Sequence, residues 1–144
     1  MNSDLRIIVY CSTSEIRGTD TDIAAGISEI LSVSRLKNPE AGITGALLYN
    51  DGYFAQILEG PANVLGRLVN SIQADPRNSN FTLALDGPAA ERYFPDWSMA
   101  FGAVGEHPAI SAAISAVLSH SSHSGEEILE VMKGLILKED DWLL

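Results

Sequence analysis

The triplet Asn50-Asp51-Gly52, set between two apolar runs, limits the folding options of this chain more than any other segment. Asp-Gly accepts the left-handed backbone of a tight turn, so Ile43 to Tyr49 and Tyr53 to Glu59 read as the two strands of a hairpin. Leu5 to Cys11 reads as a further strand, apolar on both faces at Ile7, Ile8 and Val9, as a buried central strand would be. Ser12 to Gly18 reads as loop. A helix capped by Thr19 or Asp20 is predicted to run to about Leu36, with Ile23, Ile27, Ile30, Leu31 and Ser34 on one side. Asn38-Pro39 is expected to end it, because proline lacks the amide donor and restricts the residue before it.

After the hairpin, Gly60-Pro61 starts a second predicted helix, from Pro61 to Ala74, with an apolar face of Val64, Leu65, Leu68, Val69 and Ile72; Asp75-Pro76 closes it. Phe81 to Leu85 and a short stretch around Ser98 to Ala103 complete five strands. The order β-α-β-β-α-β-β predicts an α+β fold with a ferredoxin-like sheet. Two helices would cover one sheet face. Helices near 108–119 (Ile110, Ile114, Val117, Leu118) and 126–138 (Ile128, Leu129, Val131, Met132, Leu135, Ile136) would cover the other or form a dimer contact. This divides the chain into a sheet-and-helix unit, 1–103, and a C-terminal helical extension, 104–144.

Charge narrows the function. The chain has 144 residues and a formal net charge of −10, and its nine cations are scattered. Without a basic stripe, direct nucleic-acid binding and attachment to an anionic membrane are not expected. Cys11 is the single cysteine, which fits a reducing compartment; Met1-Asn2-Ser3-Asp4 does not open a signal peptide, and the apolar runs are short of a membrane span. A soluble cytoplasmic protein is the expectation.

Catalytic signatures are missing. His107, His120 and His123 have no companions at metal-ligand spacing, so no metal is expected. Ser12, Thr13 and Ser14 do not sit in a nucleophile elbow, and the loop 11–18 holds one glycine, a poor phosphate cradle. Glu59 ends a strand, where it caps or pairs locally. The acidic tail Glu139-Asp140-Asp141-Trp142 reads as a solvated terminus or a partner dock. The chain is not expected to be an enzyme.

Gln56 is the informative polar residue. It shares a strand face with Phe54 and Leu58, where an unpaired amide would cost about 1–3 kcal/mol. It is either a satisfied core amide or, since an amide can exchange donor for acceptor by turning over, a two-state switch beside a ligand. Tyr10 lies near the end of the adjacent strand, Asn38 at the end of the first helix. Trp97 and Met99 alternate in the fifth strand and so are expected to share a face.

Taken together, these blocks resemble the BLUF family of flavin-based blue-light sensors. The resemblance rests on Ile8-Val9-Tyr10-Cys11-Ser12, Asn38, Gly42-Ile43-Thr44-Gly45-Ala46-Leu47-Leu48-Tyr49, Phe54-Ala55-Gln56-Ile57-Leu58-Glu59-Gly60, Asp75-Pro76-Arg77 and Arg92-Tyr93-Phe94-Pro95-Asp96-Trp97-Ser98-Met99. It implies FAD (with FMN and riboflavin as alternatives) held between the two helices and the sheet. It implies that Asn38 hydrogen-bonds the flavin ring, that Tyr10 and Gln56 are photoactive, and that Trp97 and Met99 carry the signal. Arg77 and Ser34 match polar positions around the flavin, and Ile30 and Ile72 apolar ones that sandwich it. Asn78 stands where a histidine often follows the arginine, and Lys37 occupies a variable position. A downstream protein, still unidentified, or a homo-oligomer contact would read the state of the switch. Two other readings stay open: a small ferredoxin-like acyl-phosphate hydrolase using Arg17 and Asn38, and a light-independent regulatory module.

Overall fold

The structure, a computed structural model, describes residues 5–104, 108–119 and 124–138. Asp51 and Gly52 adopt φ of 47° and 88°, the left-handed pair of a type I′ turn, and Asn50 pairs with Tyr53 across it. The turn joins β2 (Thr44–Asn50) to β3 (Tyr53–Pro61). β1 (Leu5–Ser14) pairs antiparallel with the other side of β3, and β4 (Asn78–Pro88) antiparallel with β1. β5 (Ala100–Val104) runs parallel to β2, so the sheet order is β4-β1-β3-β2-β5 with β3 in the middle.

Helices cover both faces. On the first, Ile27 and Leu31 of α1 (Asp20–Ala41) and Leu65 of α2 (Ala62–Ala74) pack with Ile8, Tyr10, Leu47 and Leu58. On the second, α3 (Pro108–Leu118) contributes Ile110, Ile114 and Val117, and α4 (Ser124–Lys138) contributes Ile128, Leu129 and Met132, against Val9, Cys11, Leu48 and Ile57. Two buried faces explain why β1 and β2 are apolar without alternation. Each fully buried Leu or Ile contributes about 1.5–3 kcal/mol. Among the described residues no helix is long and apolar enough to cross a membrane.

Three local expectations are corrected. Asn38-Pro39 does not end α1: the helix runs to Ala41 with Pro39 inside its last turn. Near the C-terminus the missing proline donor removes only one late bond, and the stop falls at Gly42, left-handed at φ 74°, whose N–H meets the carbonyls of Asn38 and Pro39. The loop after β1 starts later than Cys11, because Thr13 and Ser14 pair with Ser79 and Asn78 and extend both edge-side strands into polar sequence. Trp97 and Met99 precede β5, which begins at Ala100, and they take opposite faces: Met99 joins the first core and Trp97 packs on the second. Outside a strand, alternation no longer dictates direction.

At its start, α1 is held by a capping box in which Thr19 Oγ1 accepts from the Asp22 amide and the Asp22 carboxylate accepts from the Thr19 amide. The expected loop containing His120 and His123, together with His107 and the tail 139–144, lies outside the described residues. So do the side chains of Leu135 and Ile136.

β2 and β3 approach closely at Gly45, where an added Cβ would stand 2.0 Å from the Ile57 carbonyl oxygen. Gly45→Ala is therefore expected to destabilise the fold by about 1–3 kcal/mol, as overpacking does. Urea denaturation checks this; an unchanged midpoint would show that the strand pair relaxes freely there.

A polar cavity between two helices and the sheet

A cavity of about 320 Å³ opens between α1, α2 and the first sheet face. Its size falls within the ~300–1,000 Å³ of small-molecule sites. α1 supplies Ile30, Ser34, Lys37 and Asn38; α2 supplies Ile72; the sheet supplies Tyr10 and Gln56; the turn into β4 supplies Asp75 and Arg77, and β4 itself Asn78. Met99 closes the wall beside Gln56. Every residue singled out in the sequence for the site, except Trp97, lines this one cavity.

The centre of the wall is set by strand register. Tyr10 lies directly opposite Gln56, so both side chains leave the same sheet face. The Tyr10 hydroxyl donates to Gln56 Oε1 at 2.5 Å, and Gln56 Nε2 donates to Met99 Sδ at 3.4 Å. The Tyr10 ring stacks on Phe81, centroids 4.5 Å apart. Burial pushes the Tyr10 phenol far above its ordinary pKa, with a smaller push from Cys11 and Asp75, so it remains a proton donor at any ordinary pH.

Asn38 sits in the last turn of α1, where Nδ2 donates to the Ser98 carbonyl at 2.8 Å. Arg35, one turn earlier, donates from Nε to the Met99 carbonyl at 3.1 Å. The helix end thus holds the chain on either side of the Met99 side chain. At the partly exposed rim, Arg77 is gripped by Asp75 at 2.6 Å and reaches Glu29 of α1 at 3.4 Å. The guanidinium hydrogen bonds hold the Asp75 carboxyl below its usual pKa. Asn78 donates to the carbonyls of Ile72 and Asp75, which leaves its buried Oδ1 without a partner among the described residues.

That orphaned acceptor tests the fit of a ligand. A buried unpaired amide oxygen costs about 1–3 kcal/mol, and a ligand N–H would relieve it. Amides at Asn38, Gln56 and Asn78, apolar walls at Ile30 and Ile72 and cations at Lys37 and Arg77 suit a flat heteroaromatic ring with a polar edge and a phosphate-bearing tail. The residues present therefore fit a flavin nucleotide.

Sequence reasoning missed Leu47, Phe54, Leu58 and Leu68 as lining residues. Leu47 could have been found: with Asn50 opposite Tyr53, counting three residues away from the turn along each strand puts Leu47 opposite Gln56. Glu59, expected to cap or pair locally, does pair with Thr44 on the neighbouring strand, but it is fully buried and also holds a distant segment. Arg17 pairs with Glu15 and is not among the cavity residues, so the arginine and asparagine needed by a hydrolase are not brought together there.

The fold and site define a ferredoxin-like domain with a candidate ligand cavity centred on a tyrosine–glutamine pair. The chain belongs to the BLUF family, described as sensors of blue-light using FAD, which matches residues 5–100. It is similar to the BLUF protein BlrB in its dark state, with 30% identity and a TM-score of 0.73 over 96% of this chain and 99% of that one. It also resembles BlsA in its photo-activated state, with 26% identity and a TM-score of 0.70 over 92% and 94% of the two chains. Among curated relatives, photoactivated adenylate cyclase subunit beta of Euglena longa is 32% identical over 91 residues, which are 61% of this chain and 11% of that protein. The blue light- and temperature-regulated antirepressor BluF of Escherichia coli (strain K12) is 33% identical over 62% of this chain and 21% of its own length. The chain thus spans a small part of these curated relatives.

Burial also pushes the Cys11 thiol up, from an ordinary value of 9.0 to about 12. Groups with pKa values raised by folding stabilise fully below their unfolded values and lose that contribution as pH climbs toward the folded ones. Stability is therefore expected to fall from about pH 9 upward, as unfolded Cys11 and then unfolded Tyr10 ionise. Denaturation midpoints between pH 7 and 11 check this. Cys11→Ala should postpone the onset by about one pH unit, to the range where tyrosine ionises.

Proposed function

We propose that this chain is a blue-light switch in which Tyr10 is the proton and electron donor and the Gln56 amide is the moving part. The proposal rests above all on the hydrogen-bonded row Tyr10–Gln56–Met99 in the wall of the cavity. When bound, the flavin supplies the blue absorption and, once excited, the oxidant for a nearby phenol. Asn38 and Asn78 would hydrogen-bond the ring, Ile30 and Ile72 would pack against it, and Ser34 and Arg77 would meet its polar parts.

Gln56 Oε1 already receives the Tyr10 hydroxyl hydrogen bond, so a proton leaving Tyr10 has its acceptor in place. Turning or tautomerising the amide exchanges donor for acceptor at a fixed point. In the arrangement described, Nε2 faces the Met99 sulfur; once the amide has turned over, an oxygen would face it. Sulfur is a weak acceptor and no donor to oxygen, so the second arrangement favours withdrawal of Met99. The electron and the proton would then return to Tyr10, so the rearranged state would hold no separated charge and no new covalent bond, which lets the system relax in darkness.

Met99 leads directly into β5, and Trp97 packs against the core shared with α3 and α4. Displacement of this stretch would pass to the extension 104–144. A separate downstream protein, or a second copy of the chain, would read that face in the cytoplasm. The chain itself would carry no catalytic activity.

Two outcomes are expected. The FAD-loaded protein should shift its absorption to the red in blue light and relax in darkness. Tyr10→Phe should keep FAD bound, because it removes one hydroxyl from the wall, and should abolish the shift. A normal photocycle in Tyr10→Phe would remove Tyr10 from the mechanism.

A further inference from the structure

We infer that Glu59, acting with Thr44 and Arg92, is a positioning latch that fixes the start of the segment 92–99 so that Met99 is presented to Gln56. This rests on the switching role proposed above for Gln56 and Met99. Glu59 stands three residues after Gln56 on the regular strand β3 and so leaves the opposite sheet face. Its carboxylate is fully buried and receives three donors: the Thr44 hydroxyl at 2.8 Å, the Tyr93 amide at 2.5 Å and the Phe94 amide at 3.2 Å.

Thr44 is the link to a cation. Its oxygen accepts from Arg92 Nη1 at 2.9 Å, the same nitrogen reaches the Glu59 carbonyl at 3.2 Å, and Nη2 reaches the Gly42 carbonyl at 2.8 Å. One guanidinium therefore ties the cap of α1, strand β2 and strand β3 to the start of the segment. A buried carboxylate is costly unless fully hydrogen-bonded, and apolar packing alone could have fastened a loop here. What the carboxylate adds is direction, because two successive amides must point at it.

The segment consequently has a fixed end and a responsive end. Phe94 is buried in the second core, and the Tyr93 ring lies under Lys133 of α4 at 4.2 Å. Residues 97–99 are held by the Gly45 amide of β2 at the Trp97 carbonyl and, from the cavity wall, by Asn38 at the Ser98 carbonyl and Gln56 at the Met99 sulfur. A change at the cavity acts on the second set of bonds and leaves the first untouched. The latch makes 92–94 the pivot about which 95–99 moves.

Hydrogen exchange on the full FAD-loaded chain, dark and illuminated, tests this. Glu59→Gln keeps the shape but sets an amide NH₂ against a donor. In darkness it should raise exchange in 92–94 roughly tenfold, as loss of a charge-assisted hydrogen bond implies. It should keep the red shift and shrink the light-minus-dark difference in 95–99 severalfold. Thr44→Val, isosteric and cutting the link to Arg92, should do the same to a smaller degree and decides the matter if Glu59→Gln does not fold. Ile27→Val, which trims the other core, should do neither. Wild-type protection of 92–94 in the folded variants, or an undiminished light difference in 95–99, would overturn the latch. If wild-type protein showed no red shift, the photochemical reading would fall, and dark exchange would still judge the latch.

Discussion

The Tyr10–Gln56 hydrogen bond depends on the register between β1 and β3, and so does everything built around it. A slip of one residue would send all the side chains of one strand to the other face. In most sheets the apolar pattern prevents that. Here both faces of β1 and β3 are buried, so the pattern says little about which residue points where. The polar residues supply the missing information. Gln56 finds its partners only on the first face and Glu59 only on the second, three residues further along the same strand. The Ser14 amide also bonds the Gly52 carbonyl, which ties the end of β1 to the hairpin turn. Residues that make the centre of the sheet chemically useful are also the ones that make its pairing unique.

Legibility in the sequence follows this division. Local chemistry was readable: the Asp51-Gly52 turn, the Thr19 cap and the helical apolar faces each rest on neighbours along the chain. The element order, and with it the ferredoxin-like sheet, followed. Nonlocal facts were not readable. Nothing near Tyr10 announces that it lies opposite Gln56, and nothing near Trp97 announces that it turns away from Met99. Alternation suggested one face for that pair and failed because the chain is not yet a strand there. Pro39 misled for a related reason: a proline withholds one amide donor but does not by itself stop the chain, and only Glu40 and Ala41 follow it before the left-handed Gly42 ends the helix. The cavity residues came mainly from the family resemblance; the Glu59 cluster, which joins three elements distant in sequence, came only from the fold.

The two covered faces also separate the cavity from the C-terminal helices. The first face holds the cavity, and the second holds α3 and α4, with β3 shared between them. Segment 92–99 passes from one side to the other, with Phe94 in the second core and Met99 in the first.

The rim of the cavity has a bearing on how a cofactor arrives. Its lining cations are Lys37 and Arg77, and Arg77 is already shared between Asp75 and the exposed Glu29, in a chain of net charge −10. An anionic nucleotide diffusing inward meets long-range repulsion first and must then compete with Glu29 for its cation. Added salt screens both effects. The rate at which an anionic nucleotide enters should thus depend on ionic strength, through charges at the entrance that are distinct from the apolar and amide contacts awaiting the ring.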